Sequence, residues 1–487
     1  MVAETPIPSL SDYDVSADNG FLSDQPPIDR LSDAYYEPWE QLIQNLQGLI
    51  LSKRLRGVVD KLPVLSTEKL QDEAEWRRAY SILAFITHAY IWSGPKPKER
   101  VPPPITIPFL QTCKRLELPP VATYAGLVLW NWKPLFKSER TDTLANLDML
   151  HTFTGSLDEK WFYLVSVAIE ARGAPLIPMM LHATSAARRG ESHIVTQCLK
   201  NFAERLDELG QLLTKMYDNC DPHVFYNRIR PYLAGSKNMA DAGLPNGVIF
   251  DNGGPMNKQR YVQYSGGSNA QSSIIQFFDL ILSVQHRPTG EKQHDAAADA
   301  AVQKEGKKAA QPPPPANFIH EMRKYMPGSH ARFLAQVGKV ACIRSFVQER
   351  PQDRALCVAF DACLAMLSAL RDKHIQIVSR YIIIQSQAAK KRAASDQKQE
   401  KKVDLANRSK EKADLKGTGG SSLIPFLRQA RDETGEPAVD LWTRAMLRKE
   451  KRPEISKIER RASLIPPPPG LAGVWTVEGD GGGLCYT

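Results

Sequence analysis

The sequence predicts an all-α fold with two domains, a small N-terminal helical domain followed by a larger helical one. The main reason is one apolar stripe in which residues recur every three or four positions, the spacing of a single helix face. This stripe runs through Leu356, Phe360, Cys363, Leu367, Leu370, His374, Ile377 and Tyr381. A second stripe with the same spacing covers residues 194–217, whereas the first 132 residues contain no convincing alternation typical of strands.

The N-terminal domain is predicted to cover residues 1–150. Six prolines interrupt residues 94–108. Because proline lacks an amide N–H and clashes with the preceding helical turn, this connector is predicted to be non-helical. Helices are expected on either side of it, at residues 40–55, 70–92, 110–115 and 122–132.

The larger domain is predicted to cover residues 151–450. The helix that precedes Pro231 is expected to end or kink at Arg230, because the residue before a proline avoids the helical region. Ser268 and Gln271 have the spacing of a capping box ahead of a strongly apolar helix.

Three low-complexity segments are predicted to be disordered. Two are insertions into the larger domain, at residues 287–316 and 388–415, and the third is the tail at residues 451–487. They are rich in Ala, Lys, Gln, Pro or Gly, and such compositions bury too little apolar surface to fold.

The net charge of +9 does not predict nucleic-acid binding. The excess lies in residues 390–416 and 444–461, and no aromatic residue interleaves with the lysines of the first segment. A basic linker and a basic tail of this kind are more often solvated surface than a recognition patch.

The remaining composition predicts a cytoplasmic protein with no membrane partner. Residues 1–18 lack the basic start and apolar core of a secretory signal, and the apolar stretch at residues 274–284 is too short to span a bilayer. The seven cysteines form no CxxC pair, which argues for reduced thiols and against a disulfide framework, a zinc site or an iron–sulfur site.

His374 lies inside the apolar stripe, and Arg371 precedes it by about one helical turn. A buried imidazole needs a hydrogen-bond partner for each nitrogen or a metal, so this pair suits a haem whose iron binds the histidine and whose propionate binds the arginine. A lone histidine on an apolar face is more often a hydrogen-bonded core residue, and this helix alone leaves both interpretations open.

Six sequence phrases occur in a fixed order along the chain. They are residues 153–166 (FTGSLDEKWFYLVS), 221–235 (DPHVFYNRIRPYLAG), 264–273 (YSGGSNAQSS), 322–327 (MRKYMP), 371–378 (RDKHIQIV) and 416–420 (KGTGG). Together they closely resemble the indoleamine 2,3-dioxygenase family, haem enzymes that open the indole ring of tryptophan. The resemblance runs from about Gly20 to Arg428, and the lengths of the insertions resemble those of fungal members.

The resemblance implies a haem b site on the larger domain. His374 would be the proximal iron ligand, and Arg371 would hold a propionate. Gly266, Gly267 and Ser268 would bring backbone close to the haem edge and to the substrate ammonium, which glycine permits because it has no side chain.

The resemblance also implies the catalytic pocket for an indole substrate. Phe162 and Ser166, four residues apart on one helical face, would line its distal side, with Phe162 near the indole ring. Phe225 and Tyr226 would form the far wall. Arg230 would bind the substrate carboxylate in a charge-assisted pair.

Three further residues belong to the edge of this implied pocket. Tyr124 would lie at its inner end, and Thr418 would belong to a mobile loop that closes over the substrate. Asn269 departs from the family, which usually has a small residue at this position, so the preferred indole substrate is open.

The resulting prediction is a haem-dependent dioxygenase that inserts O2 across the indole C2–C3 bond of L-tryptophan to give N-formylkynurenine, the first step of the kynurenine pathway. A cytoplasmic monomer is expected. The alternatives are a dioxygenase for a different indole, a haem-binding sensor without turnover, and a helical scaffold without a cofactor, whose proline runs and basic linker would dock partners.

Overall fold

Helices make up 62% of the described residues and strands are few among them, which confirms the predicted all-α class. The computed structural model describes residues 5–289, 317–395, 417–418 and 423–447. The described residues all belong to one compact unit, Met1–Leu447.

The α-helices of the first half of the chain form in the predicted order. They are Glu37–Gln44 (α1), Leu46–Leu51 (α2), Leu55–Val59 (α3), Glu73–Trp92 (α4), Pro103–Leu116 (α5), Leu157–Gly173 (α6), Leu176–Arg188 (α7), Ser192–Thr214 (α8), Met216–Asn219 (α9), Pro222–Val224 (α10) and Arg230–Leu233 (α11). The helix expected at residues 40–55 is therefore three short helices, and the one expected at residues 122–132 is a π-helical turn, Ala125–Leu129.

The α-helices of the second half are separated by the segments that were predicted to be insertions. They are Ser273–Ile281 (α12), Phe318–Met322 (α13), Gly328–Val340 (α14), Ile343–Gln348 (α15), Arg354–Val378 (α16), Ile384–Ser395 (α17), Leu423–Thr434 (α18) and Leu441–Leu447 (α19). Helix α17 includes the first residues of the insertion predicted at 388–415. The rest of that insertion, residues 290–316 of the other and the predicted tail lie outside the described residues.

Five very short strands accompany the helices, although no strand was predicted. They are Arg100–Val101 (β1), Trp132–Pro134 (β2), Leu147–Met149 (β3), Val248–Phe250 (β4) and Tyr261–Val262 (β5). In one sheet β4 pairs in parallel with β1, with Arg100 opposite Ile249, and antiparallel with β5. Strands β2 and β3 form a separate antiparallel pair. Runs of two or three residues are too short to leave a readable alternation.

Helix α5 corrects the prediction that residues 94–108 contain no helix. It begins at Pro103, with Pro102 in an extended conformation before it and a second proline in its first turn. Prolines are tolerated there because the first amide groups of a helix have no internal partner. Pro108 lies inside the helix and is buried, so packing of this helix outweighs one lost backbone hydrogen bond.

Two hydrophobic cores lie side by side in the described part of the chain. The first is built mostly by α1, α4, α5 and α6 and also includes Phe225, Ile377 and Tyr381. The second is built by α7, α8, α12, α14 and most of α16. Helix α6 contributes to the first core and α7 to the second, whereas the domain boundary near residue 150 stays a prediction.

Helix α16 confirms the long apolar stripe. The carboxylate of Asp353 caps its N-terminus by accepting a hydrogen bond from the Leu356 amide at 3.1 Å. It packs along α8, and its stripe from Leu356 to Leu370 is buried in the second core. Its last turns leave that core, so His374 is carried to the boundary between the two cores.

Helices α6 and α7 together form the longest apolar helical stretch among the described residues. Leu157–Arg188 is long and apolar enough to cross a bilayer, and 72% of its apolar window is buried inside the protein. The longest such stretch is therefore this helix pair, not residues 274–284. Burial in the two cores accounts for its composition, as in core helices of globular proteins.

Candidate active site

A cavity of about 280 Å³ opens where the two cores meet. Its wall is mostly apolar and contains Leu127, Val128, Ile169, Leu367, Leu370, Ile377, Val378 and Tyr381. Most of the predicted site residues lie on the same wall, namely Tyr124, Phe162, Ser166, Phe225, Arg230, Gly267, Ser268, Arg371, His374 and Thr418. Residues up to 294 positions apart in sequence are thus brought to one place.

Three π-helical turns border this cavity. They are Ala125–Leu129, Phe225–Ile229 and Ser379–Ile383, and each contributes at least one residue to the wall. A π-turn inserts one extra residue and re-aims the side chains that follow, which is why such turns cluster at functional sites. The turn at Phe225–Ile229 is the kink that Pro231 predicted at Arg230.

His374 presents a neutral imidazole to the cavity. Burial, together with the nearby Arg371 charge, lowers the pKa of His374 to about 4. Within the described residues neither ring nitrogen has a hydrogen-bond partner, unlike the core histidine His88, which contacts the Tyr232 carbonyl and the Ala122 amide. The hydrogen-bonded core interpretation therefore does not hold for His374, and a neutral imidazole facing an apolar cavity fits an iron ligand.

Arg371 is paired with a carboxylate at the cavity wall. Its Nη2 lies 2.6 and 2.8 Å from the two carboxylate oxygens of Asp279, and its Nη1 donates to the Thr434 hydroxyl. Burial would raise the pKa of Asp279, but the charges of Arg371 and His286 outweigh it and hold that pKa below its usual value. A propionate bound by Arg371 would therefore share the guanidinium with Asp279.

His286 lies between two carboxylates at the other side of this ion pair. Its Nδ1 is 2.7 Å from Glu433 and its Nε2 is 3.1 Å from Asp279, and all three side chains are at most 6% exposed. Burial lowers the pKa of His286, but the Asp279 charge and the hydrogen bonds to both carboxylates outweigh it and raise the pKa above 6.5. Glu433 belongs to α18, so these contacts join that helix to α12 and α16.

An aromatic pair forms one side of the cavity. The ring centroids of Phe162 and Phe225 are 4.8 Å apart, and Phe225 meets Tyr381 edge-on at 5.7 Å. Tyr226 was predicted in the far wall beside Phe225, but it does not line the cavity. It is buried behind the wall, where its ring lies 5.7 Å from the Arg230 guanidinium.

Arg230 is a buried cation on the cavity wall, 6% exposed, at the junction of the π-turn and α11. Pro231 follows it in the first turn of α11, where a proline is tolerated. A guanidinium held in a largely apolar wall suits a carboxylate ligand, because a planar guanidinium binds a carboxylate through two parallel hydrogen bonds.

The glycines Gly266 and Gly267 are required by close backbone packing. A Cβ on Gly266 would lie 2.1 Å from the Leu233 carbonyl oxygen, and one on Gly267 would lie 2.5 Å from a Leu127 methyl carbon. Gly266 does not line the cavity, although it was predicted beside the haem edge, whereas Gly267 does. The two glycines thus allow the backbone at residues 266–267 to pack closely against the segments that carry Tyr124 and Arg230.

Thr418 closes over the same segment. Its hydroxyl donates to the Gly267 carbonyl oxygen at 2.7 Å, and its own carbonyl accepts from the Gly266 amide at 3.2 Å. Asn269 also lines the cavity but is exposed, which places it at the mouth. Gln271 does not complete the predicted capping box. Its side-chain oxygen Oε1 accepts a hydrogen bond from the Tyr124 backbone N–H, and its side-chain nitrogen Nε2 donates one to the Gly266 carbonyl oxygen.

Sequence reasoning missed the carboxylate behind the inner wall. Glu170 is fully buried, and its Oε1 accepts hydrogen bonds from the Tyr124 hydroxyl at 3.0 Å and the Ser272 hydroxyl at 2.7 Å. The signal was present, because Glu170 continues the four-residue spacing of Phe162 and Ser166 along α6. Asp279 and His286 were also missed, and they are far from Glu433 in sequence, so no local spacing indicates their contact.

The described residues contain no group of three or more His, Cys, Asp or Glu side chains arranged to hold a metal ion. A haem needs only one protein ligand to its iron, and His374 meets that requirement.

Comparisons with known proteins identify the family of this chain. The indoleamine 2,3-dioxygenase family model matches residues 9–437. An indoleamine 2,3-dioxygenase of Saccharomyces cerevisiae is 39% identical over 88% of this chain and 93% of its own length. A 6-hydroxytryptophan 2,3-dioxygenase of Fusarium equiseti is 36% identical over 88% and 97%, and indoleamine 2,3-dioxygenase 1 of Mus musculus is 32% identical over 89% and 96%. The chain belongs to the indoleamine 2,3-dioxygenase family of oxidoreductases, whose shared reaction is the 2,3-dioxygenation of tryptophan.

Proposed function

We propose that this protein binds haem b through His374 and uses O2 to convert L-tryptophan into N-formylkynurenine. The observation that carries the proposal is the neutral imidazole of His374, which faces a cavity lined by an aromatic pair and by the buried cation Arg230. The haem would need an axial ligand to its iron. The tryptophan would need an aromatic surface for its indole ring and a cation for its carboxylate.

The cofactor part of the proposal assigns His374 to the iron and Arg371 to a propionate. When bound, the haem iron supplies the binding and activation of O2. Asp279 stays paired with Arg371 and fixes the direction of its guanidinium, so that the remaining donor face can meet the propionate. Such a contact around the ligand shell orients the groups that hold a cofactor.

The substrate part assigns one group to each end of tryptophan. The indole would pack against Phe162 and Phe225, whose rings already contact each other, and the carboxylate would pair with Arg230. The backbone of Gly267 and Ser268 would lie near the ammonium, with Thr418 hydrogen-bonded over it. Ser166 is too weak an acid or base to transfer protons unaided, so the protein mainly positions the substrate and excludes water.

The experiment that tests this proposal is turnover of L-tryptophan by the haem-loaded, reduced protein with O2. A Soret band and steady formation of N-formylkynurenine are expected. A protein without a Soret band would favour the scaffold, and a good haem spectrum without product from any indole would favour the sensor.

Arg230→Ala adds a prediction about the substrate carboxylate. Loss of a desolvated charge pair is expected to raise the KM for tryptophan about tenfold or more, with haem content unchanged. Tryptamine, which lacks the carboxylate, is expected to show no such rise. An unchanged tryptophan KM would remove Arg230 from the site.

A second candidate is a dioxygenase for a ring-substituted indole. It is favoured by Asn269 at the mouth of the cavity and by a 36% identical relative named for 6-hydroxytryptophan. The ratio of kcat/KM for tryptophan and for its hydroxylated forms separates the two, and a ratio that Asn269→Ala shifts would assign the preference to this residue.

The place of the reaction in the cell is part of the same proposal. N-formylkynurenine formation would be the entry to the kynurenine pathway, in the cytoplasm. A monomer is expected, and light scattering of the haem-loaded protein would test it.

A further inference from the structure

Glu170 is a buried carboxylate that the proposed reaction does not use. It lies on α6, one turn beyond Ser166, and is 0% exposed. Tyr124, from the neighbouring π-turn segment, and Ser272, from the start of α12, both direct their hydroxyls at its Oε1, at 3.0 and 2.7 Å. Its Oε2 is buried, and no described residue hydrogen-bonds it.

No ion pair compensates this carboxylate within the described part of the chain. Burial raises the pKa of Glu170 to about 7, opposed only by the hydrogen bonds from Ser272 and Tyr124. The charged residues on the cavity wall, Arg230, Asp279 and Arg371, do not contribute to this shift. Glu170 therefore changes charge near neutral pH, well above the range of an exposed carboxylate.

The two residues whose hydroxyls contact Glu170, Tyr124 and Ser272, also line the cavity. Each hydroxyl has one proton. If the carboxylate is ionised, Tyr124 and Ser272 must both donate to it, so only their oxygen lone pairs are left to face the cavity. If Glu170 carries a proton, one hydroxyl proton is released and the same wall can donate. The hydrogen-bonding character of the wall therefore depends on a residue behind it.

We propose that Glu170 is a positioning residue which, through the hydroxyl protons of Tyr124 and Ser272, makes the inner wall of the cavity an acceptor for the N–H of an indole ring. This inference rests on the proposed function, because it takes an indole as the ligand. Ser166, one turn before Glu170 on α6, adds a further hydroxyl-bearing residue to the distal side of the same cavity. The indole nitrogen is the one hydrogen-bond donor of the unsubstituted ring system, so an acceptor wall favours it.

The direction of the pH effect follows from this geometry. Above pH 7 the ionised carboxylate holds both hydroxyl protons, and tryptophan is expected to bind about three- to tenfold more tightly than at pH 6, the value of one net hydrogen bond. The sulfur analogue of tryptophan, in which the ring N–H is replaced, is expected to bind equally at both pH values.

The first experiment compares the tryptophan Kd, read from the Soret shift of the reduced haem-loaded protein, between pH 6 and pH 8. Glu170→Gln has nearly the same shape but does not ionise, and it is expected to abolish the difference. Glu159→Gln is the control, because Glu159 is a second fully buried carboxyl on α6 whose short hydrogen bonds come from Phe153 and Thr154, neither of which lines the cavity. Its one contact with a cavity residue, the Tyr163 hydroxyl, is longer, at 3.4 Å. A pH difference that survives in Glu170→Gln, or is absent from the wild type, overturns the proposal.

A second measurement does not depend on turnover or on a tryptophan complex. The carbonyl stretch of a protonated buried carboxyl is expected in the infrared spectrum of ligand-free protein, lost between pH 6 and pH 8, and absent from Glu170→Gln. Ser272→Ala keeps the carboxyl but removes one donor to its ionised form, so the midpoint is expected to move to higher pH. If the pH midpoint of the carbonyl band is the same in Ser272→Ala as in the wild type, the proposal is overturned, even if Glu170→Gln does not fold. If the band titrates as expected but the protein does not bind tryptophan, only the proposed function is contradicted.

Discussion

His374 and His286 are two enclosed histidines near the same guanidinium, and the protein treats them in opposite ways. Burial acts on both, and the Arg371 charge lowers the pKa of both. No carboxylate of the described residues hydrogen-bonds His374, and burial with the Arg371 charge lowers its pKa to about 4. His286 contacts Asp279 and Glu433, so its pKa rises above 6.5. The first is a neutral imidazole that faces the cavity, and the second is an imidazole whose protonated form is favoured by an ion-pair network.

This difference shows that burial does not decide the protonation state by itself. A desolvated imidazole is neutral unless enough negative charge lies within hydrogen-bonding distance. The network around His286 alternates in sign, with Asp279 between Arg371 and His286, and Glu433 between His286 and Arg287. The network fixes the guanidinium of Arg371 at the cavity wall, and His374 makes no hydrogen bond to it within the described residues.

The largest expected effect comes from removing His374, the neutral histidine of the two. His374→Ala is expected to abolish stable haem binding, because iron loses its protein ligand. The measurement is the Soret absorbance after haem titration. His286→Gln is the control and is expected to keep a full Soret band; a full band in His374→Ala would show that another group binds the iron.

Asp279→Asn removes the central carboxylate of the ion-pair network around His286. The carboxylate is 6% exposed and pairs with both Arg371 and His286, so its neutralisation leaves two buried cations without their shared partner. The free energy of unfolding is expected to fall by about 3 kcal/mol. Urea unfolding of the apoprotein measures it.

Asp148→Asn is the matched control for that variant. Asp148 pairs with Lys160 at 2.8 Å, but both side chains are a quarter to a third exposed. A loss of at most about 1 kcal/mol is expected there. If the free energy of unfolding falls equally in Asp279→Asn and Asp148→Asn, the buried network stabilises the protein no more than an exposed ion pair does.

His286→Gln sharpens the comparison through pH. Because the folded-state pKa of His286 is raised above its unfolded value of 6.5, its stabilisation is complete below pH 6.5 and is lost as pH rises through the folded-state pKa. The stability difference between wild type and His286→Gln, about 1–3 kcal/mol below pH 6.5, is therefore expected to shrink above it. Urea unfolding at several pH values measures this difference.

His320→Gln is the control for the pH experiment. His320 lies near the same network on α13, but burial lowers its pKa below 6.5, so it cannot produce a loss above that value. A stability difference for His286→Gln that stays constant above pH 6.5 would mean that His286 is not a cation in the folded protein.

The sequence predicted the helices that local spacing controls, and it predicted the cavity through the resemblance of its phrases. The stripe of α16 was readable because a buried helix face repeats every three or four residues. The π-turns at Ala125–Leu129 and Phe225–Ile229 were not readable as such, since they differ from α-helix by one inserted residue. Tyr226 was misplaced for this reason, because the π-turn turns it behind the wall.

The electrostatics of the site could not be predicted from local patterns. His286 and Glu433 are 147 positions apart, and their contact depends on how α18 packs against the end of α12. Glu170 was closer to being readable, since it shares a helix face with Ser166. Its meaning, however, depends on Tyr124 and Ser272, which reach it from other elements.

The smallest expected effect tests the outer edge of the network. Arg287 pairs with Glu436 through its two terminal guanidinium nitrogens, Nη1 and Nη2. The side chains of this pair are 26% and 19% exposed, whereas those of His286, Asp279 and Glu433 are at most 6% exposed. Arg287→Gln is expected to lower the free energy of unfolding by only about 0.5 kcal/mol, because water screens the pair and solvates the carboxylate left behind. The variant also removes the contact of Arg287 Nε with Glu433 at 3.6 Å, but the Arg287 backbone amide still donates to Glu433 at 3.0 Å and His286 still contacts Glu433 at 2.7 Å. A loss as large as that of Asp279→Asn, measured by the same urea unfolding, would mean that the network acts as one unit from edge to centre, and the contrast between a solvated edge and a desolvated centre would no longer hold.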